Sequence, residues 1–264
     1  MKILLGNDDG HSAIGIQTLK SSLEKEGHEV YVAAPTEERS GQSHAMTFFK
    51  PLVANLVSDR FLTVNGTPAD CIAIALLDIW KEVEFDLVLS GINKGLNVGT
   101  DVNYSGTVGA ATEGALMGKK AIAVSVDLDR LHVDGITPEE AYLNTAKMTI
   151  GIINQLQNSQ FNWPKNVVLN FNHPGFHPKG LKLAKCMSQN MYIPHFEKFS
   201  PSSSHLSNQK IYVLGGSKRR VGADTSQDVG LIMEGYATLS LLDSRQSSAS
   251  SQESLGFAVK GLLD

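Results

Sequence analysis

Lys2-Ile3-Leu4-Leu5-Gly6, followed at once by Asn7-Asp8-Asp9-Gly10, is the stretch on which the fold turns. The apolar run has the length and composition of a short buried strand. Two adjacent carboxylates stand where that strand leaves its sheet. In an open parallel sheet, ligands bind outside the carboxyl ends of the strands. Two neighbouring negative charges need a compensating cation, or one of them takes up a proton. Hard divalent cations such as Mg²⁺ or Mn²⁺ favour all-oxygen sites of this kind. Asn, Asp and Gly are also the favoured turn residues, so the same four positions can serve as a turn alone.

The next elements set the topology. Ile16, Leu19 and Leu23 recur at helical spacing within residues 12–26, with Lys20, Glu24 and Lys25 among them. Ser12 is the expected N-cap and Gly27 the C-terminal stop. Glu29-Val30-Tyr31-Val32-Ala33-Ala34 then reads as a second strand, ended by Pro35. A strand–helix–strand unit places its strands in parallel through a right-handed crossover. The expected fold class is therefore α/β. The loop after the second strand holds Glu37, Glu38, Arg39 and Ser40, and topology brings it to the same sheet edge as Asp8 and Asp9. Ser40 can offer a hydroxyl to a metal or a phosphate. Arg39 is expected to pair locally with Glu37 or Glu38, as most such surface ions do.

Residues 52–57 and 61–64 read as a hairpin. Gly66-Thr67-Pro68-Ala69-Asp70 opens a helix running to about residue 80, with Thr67 as N-cap and Pro68 in the first turn. Residues 85–89 form a further buried strand. The densest chemistry follows, in a polar stretch of about 17 residues from Ser90 to Thr107; a loop of that length in a compact domain is more often functional than idle. Asn93 leaves its strand as Asp8 and Asp9 leave theirs, and its amide oxygen can extend an oxygen donor set. Ser105-Gly106-Thr107 runs into a small-residue helix at residues 108–117. A helix start offers free N–H groups and a positive dipole end, which suits a phosphate; Ser105 and Thr107 also suit plain capping.

Further strands are expected at 121–126, 166–170, 181–184 and 236–241, and a long helix from Thr137-Pro138-Glu139-Glu140 to about residue 156. Residues 195–230 are polar and serine-clustered and read as an extended loop or arm. The serine-rich tail, 244–254, precedes a short helix near 255–263. The 264 residues fit one large domain, with a core over 1–190 and an arm, hairpin and tail over 191–264.

The totals exclude several function classes. The chain is 42% apolar and 19% charged, with net charge −4 and pI 6.1, and so carries no electrostatic footprint for a nucleic-acid polymer. No apolar run reaches the ~18 residues of a membrane span. Cys71 and Cys186 match no metal or disulfide spacing and fit a reducing compartment, so a cytoplasmic location is expected. His173 and His177 are four apart, but Pro174, Gly175 and Pro178 argue against a helical zinc pair.

Asn7-Asp8-Asp9-Gly10, Glu38-Arg39-Ser40, Gly66-Thr67-Pro68-Ala69-Asp70-Cys71, and Ser90-Gly91-Ile92-Asn93 through Ser105-Gly106-Thr107 occur in that order. Together they resemble the survival protein SurE family of metal-dependent nucleotidases. The likeness spans about residues 1–130 and returns weakly at Leu169-Asn170 and from Asp224 to Tyr236. It implies a Rossmann-like, mostly parallel sheet flanked by helices, with a C-terminal extension used in oligomerisation. It implies one divalent ion per subunit, Mg²⁺ or Mn²⁺, on Asp8, Asp9, Ser40 and Asn93. Phosphate contacts would fall on Ser40, Asn97, Ser105, Gly106 and Thr107. The implied activity is hydrolysis of nucleoside 5′- and 3′-monophosphates, in some members also of short polyphosphate, by a homodimer or homotetramer. Gly6, His11 and Lys185-Cys186 depart from the family pattern, none of them at the expected metal ligands.

The chemistry these residues suggest is metal-assisted phosphomonoester hydrolysis. Asp8 or Asp9 can orient or deprotonate a water, or attack directly. Two rival readings fail on motif. A haloacid-dehalogenase-type phosphatase needs Asp-x-Asp-x-Thr/Ser, which Asp8-Asp9-Gly10-His11 does not supply. A Mg²⁺-binding receiver-like signalling module needs a phospho-accepting Asp where this chain has Ser90-Gly91-Ile92-Asn93, and is about half as long.

Overall fold

The computed structural model describes residues 1–159, 161–186, 188, 191–199, 210–218 and 226–244. Its centre is a nine-stranded, mostly parallel sheet. The strands are β1 (Lys2–Gly6), β2 (Glu29–Pro35), β3 (Ala54–Ser58), β4 (Phe61–Val64), β5 (Leu87–Lys94), β6 (Ala121–Val126), β7 (Val167–His173), β8 (Leu181–Leu183) and β11 (Ala237–Asp243), in the order β3-β4-β2-β1-β5-β6-β7-β11-β8. From β4 through β7 every neighbour pairs in parallel; β3 runs antiparallel to β4, and β11 antiparallel to β7. A second, two-stranded ribbon pairs β9 (Tyr192–Phe199) with β10 (Ile211–Lys218).

Helices cover both faces. On one lie α1 (Ile14–Lys25) and α4 (Pro138–Asn158), which bury Ile16, Leu19, Leu23, Tyr142 and Ile153 against Leu5, Leu89, Val124 and Phe171. On the other lie α2 (Pro68–Ile74) and α3 (Gly106–Leu116), packed on Leu4, Val88, Ala123 and Val168. Strands buried on both faces read as unbroken apolar runs, which is why β1, β2 and β6 are visible in the sequence. α1 sits so close to β5 that a Cβ at Gly15 would lie 2.0 Å from the Ile92 carbonyl oxygen. The starts of α2 and α4 are both capping boxes, Thr67 with Asp70 and Thr137 with Glu140, each with Pro in the first turn. No helix among the described residues is long and apolar enough to cross a membrane.

Several expectations need correction. Ser12 does not cap α1: Ala13 takes that position, without a side-chain bond. The helix expected to reach residue 80 is α-helical only to Ile74 and continues as a wider π turn over Ala75–Ile79. The polar stretch expected to begin at Ser90 is strand to Lys94, with a shift of register against β6 between Ser90 and Asn93. Residues 195–199 and 211–218, expected within an extended loop or arm, belong to the β9–β10 ribbon. Ile193, Phe196, Val213 and Leu214 are all exposed on it, so no apolar-in, polar-out alternation marks its strands. The division at residue 190 is crossed by β11, which sits between β7 and β8 in the main sheet. Beyond Ser244, which donates to the Asn166 carbonyl, the expected tail and final helix lie outside the described residues.

Candidate functional site

Asp8 stands just past the end of β1 and is 3% exposed. Its carboxylate Oδ1 accepts from the Thr107 hydroxyl at the start of α3, and its carbonyl accepts from the Arg39 N–H at 2.7 Å. The Asn7 amide closes the turn by donating to the Gly10 carbonyl at 2.8 Å. α3 reaches this turn because residue 106 is glycine: a Cβ there would lie 2.8 Å from the Asp8 Cβ. Asp9 lies beside it, with Oδ2 accepting from the Lys94 N–H at 3.2 Å. Burial raises the pKa of Asp8; the Thr107 hydroxyl and N–H groups at the start of α3 act against it. Burial, and next the charge of Asp8, push Asp9 up to about 6. Neither carboxylate forms a salt bridge among the described residues.

Ser40 arrives from the loop after β2 and donates to Glu38 Oε1 at 3.0 Å, while Arg39 pairs with Glu37 at 2.6 Å, the local use expected of it. Asn93, near the end of β5, donates its amide N–H to the Gly95 carbonyl at 2.9 Å. Asp8, Ser40, Asn93, Asn97 and Ser105 line one cavity of about 690 Å³, together with Gly41, Lys94, Asp101 and Tyr104. Gly106 and Thr107 back Asp8 instead of lining it; Thr107 is fully buried. Ser105 is the N-cap of α3, its hydroxyl accepting from the Val108 N–H at 3.1 Å.

Asn97 is held from four sides. Its N–H donates to Asn172 Oδ1 at 2.8 Å, and its carbonyl accepts from Asn172 Nδ2 at 2.9 Å and from Asn170 Nδ2 at 2.7 Å. Its own amide donates to the Ser125 hydroxyl at 2.8 Å. Asn172 thus gives a non-strand segment the paired donor and acceptor that a neighbouring strand would give. Two residues on, the Gly99 N–H donates to Asp228 at 2.8 Å. Asp101 Oδ2 accepts from Met191 and Tyr192 N–H at 2.8 and 3.0 Å, tying this loop to the root of β9. Ser125, Asn170, Asn172 and Asp228 are supports that sequence reading missed. Their one local signal is Asn170-x-Asn172, two amides at strand spacing inside an otherwise apolar run.

The donors around Asp8 are oxygens of two carboxylates, a hydroxyl and an amide. Among the described residues no three His, Cys, Asp or Glu side chains converge on a metal-sized site, so the neutral Ser40 and Asn93 would have to complete any set built on the Asp pair. A buried carboxylate beside a half-buried one, neither in a salt bridge among the described residues and both pushed toward protonation, fits a hard divalent cation.

Comparison with known proteins places the chain in a family. The family model described as "Survival protein SurE" matches residues 3–193. A protein of Petrotoga mobilis named 5'-nucleotidase SurE is 41% identical over 249 residues, 92% of each chain. A Thermoanaerobacter protein of the same name is 37% identical over 246 residues, 90% of each. The crystal structure of the SurE protein from Aquifex aeolicus superposes with a TM-score of 0.80 at 30% identity, covering 98% of this chain and 99% of that one.

Proposed function

The chain belongs to the survival protein SurE family, and on that premise we propose that it is a divalent-metal-dependent phosphomonoesterase. Its proposed reaction is hydrolysis of nucleoside 5′-monophosphates to nucleoside and phosphate, with 3′-monophosphates and short polyphosphate as further substrates. The observation that carries this reading is one cavity lined by Asp8, Ser40, Asn93, Asn97 and Ser105, from segments far apart in the chain.

Asp8, Asp9, Ser40 and Asn93 would hold one Mg²⁺ or Mn²⁺ per subunit, which when bound polarises a phosphoryl oxygen and lowers the pKa of water. Thr107 fixes the Asp8 carboxylate in one orientation. One of the two carboxylates then orients and deprotonates the attacking water. Ser105 and Asn97, which line the cavity, would face the charge that builds on the phosphoryl oxygens, where fixed donors act most strongly, while the first N–H groups of α3 serve Asp8 and the Ser105 cap. The signalling-module alternative lacks its phospho-acceptor: β5 ends in Ser90-Gly91-Ile92-Asn93-Lys94.

Self-association as a homodimer or homotetramer belongs to the same proposal. Ile193, Ile211 and Val213 are exposed on the face of the β9–β10 ribbon turned from the cavity-lining side chains, which supports a role for the C-terminal extension in it. A cytoplasmic location is supported by two free cysteines, Cys71 and Cys186.

Phosphate release from a panel of nucleoside 5′- and 3′-monophosphates and a short polyphosphate tests the reading, with Mg²⁺ or Mn²⁺ and with chelator. Release that chelator abolishes is expected. Release that survives chelator, or none with any metal from folded protein, overturns it.

A further inference from the structure

The polar residues at Asp8 account for one end of the cavity. The other end is built differently, from the β9–β10 ribbon. In an antiparallel ribbon, residues two apart on a strand and directly opposite across it share a face. Phe196 pairs with Leu214, and Tyr192 lies four residues before Phe196 on the same strand. Tyr192, Phe196, Leu214 and Gly216 therefore share one face, and all four line the cavity.

Two of these side chains are apolar and open to solvent: Phe196 is 67% exposed and Leu214 62%. Nothing in the described fold covers them. Gly216 interrupts the face. A Cβ there would meet only the Tyr192 Cβ, at 3.8 Å, so this backbone does not need glycine to pack. The gap opens beside the aromatic wall. Phe196 also packs edge-on against Tyr212, ring centroids 6.2 Å apart, which limits where its ring can turn. The ribbon is anchored to the phosphate end, because Asp101 accepts from the N–H groups of Met191 and Tyr192 in the loop that carries Asn97.

An acidic, polar pole and an aromatic, apolar pole in one cavity match a ligand with a charged head and a flat, weakly polar body. From this we infer that the cavity face of the β9–β10 ribbon is the nucleoside-binding wall, with Phe196 and Leu214 the residues that make the enzyme prefer nucleotides to small phosphate esters. The inference rests on the nucleotidase reading and assigns its specificity. Phe196 offers a π face to the base, and every base has one, so the wall favours nucleotides as a class without choosing among bases. Leu214 covers apolar surface beside it, and Gly216 leaves room for the sugar.

The test compares AMP with glycerol phosphate, which carries the same ester head and no base, using wild type, Phe196→Ser, Leu214→Ser and Gly216→Val. For wild type, kcat/KM for AMP should exceed that for glycerol phosphate. Phe196→Ser should lower kcat/KM for AMP about 10-fold, mainly through KM, and leave glycerol phosphate within about twofold. Adenosine should compete with glycerol phosphate for wild type and lose that ability in Phe196→Ser. Gly216→Val, which fills the gap without removing a contact, should act on AMP in the same direction. Equal losses on both substrates, or no loss on AMP in any variant, overturn the inference and leave the nucleotidase reading standing. Wild-type protein that releases phosphate from neither ester overturns both.

Discussion

The hydroxyl of Thr107 donates to the carboxylate Oδ1 of Asp8, across 99 residues of sequence and wholly out of water. It joins the first turn of α3 to the end of β1, where the N–H groups of Gly106 and Thr107 act on the same carboxylate. A partner of this kind, one step behind a metal ligand, typically changes metal affinity or activity by about 10–100-fold when removed. Thr107→Val, which keeps the shape and deletes the donor, should raise the Mn²⁺ concentration for half-maximal phosphate release at least ~10-fold. Thr107→Ser should restore most of it. A metal titration of the three proteins checks this.

Asn172 makes a two-point contact with the backbone of Asn97. Asn172→Leu leaves that buried N–H and part of the carbonyl without a partner, at about 1–3 kcal/mol for each group left unsatisfied. Asn172→Asp keeps the acceptor for the Asn97 N–H and loses the donor to its carbonyl. Stability by chemical denaturation should fall in the order wild type, Asp, Leu. Activity at saturating metal should fall in the same order, because Asn97 lines the cavity.

Asp70 is 2% exposed and does more than cap α2. Its carboxylate accepts from the Thr67 N–H at 2.8 Å, the Thr47 N–H at 2.9 Å and the Thr47 hydroxyl at 2.6 Å, which fastens the loop after Ser40 to the helix start. Asp70→Ala should cost roughly 2–4 kcal/mol, a cap and further buried bonds together. Asp70→Asn should cost less. Thermal and denaturant unfolding of both variants measure it.

His173 is 1% exposed, and its Nδ1 accepts from the Gly175 N–H at 3.2 Å, so the fold holds the ring neutral. Burial, with the nearby His177 as a smaller cause, pulls its pKa down to about 4. The unfolded chain, at the ordinary value near 6.5, binds the proton first as pH falls. This contribution to stability is therefore complete above about pH 6.5, declines as pH drops toward about 4, and is flat below. Its size is on the order of 3 kcal/mol. In His173→Gln the slope of stability against pH between 4 and 6.5 should be shallower than in wild type. Equal slopes would contradict the assignment.

What the sequence disclosed, and what it hid, follows the range of the forces involved. β1, the Asp pair and the Thr67-Pro68-Ala69-Asp70 start of α2 are legible because each obeys a rule that acts within a few residues. The extension of β5 to Lys94 is not. It passes through Gly91 at φ 137°, where a Cβ would lie 2.4 Å from the Val124 carbonyl oxygen on the neighbouring strand. That glycine marks a close approach between strands, and locally it looks like the start of a loop. The clamp on Asn97 joins residues 73 and 75 apart and has no local signature beyond two amides in β7. A hairpin is expected within 191–264, but the strands of the β9–β10 ribbon escape notice because their apolar side chains are not buried in a core and so lack the pattern that burial imposes. Asp8, Ser40 and Asn93, which the structure brings to one cavity, could be named from the sequence, while what positions them could not.

The most direct test is phosphate release from AMP by wild type and Asp8→Asn at saturating Mn²⁺ and Mg²⁺, with chelator controls and unfolding curves for both proteins. The substitution removes charge from a buried carboxylate and changes almost no volume, so the variant should stay folded. The account predicts chelator-sensitive release by wild type and a loss of at least ~100-fold in Asp8→Asn. Wild-type rates retained by a folded Asp8→Asn protein would contradict it.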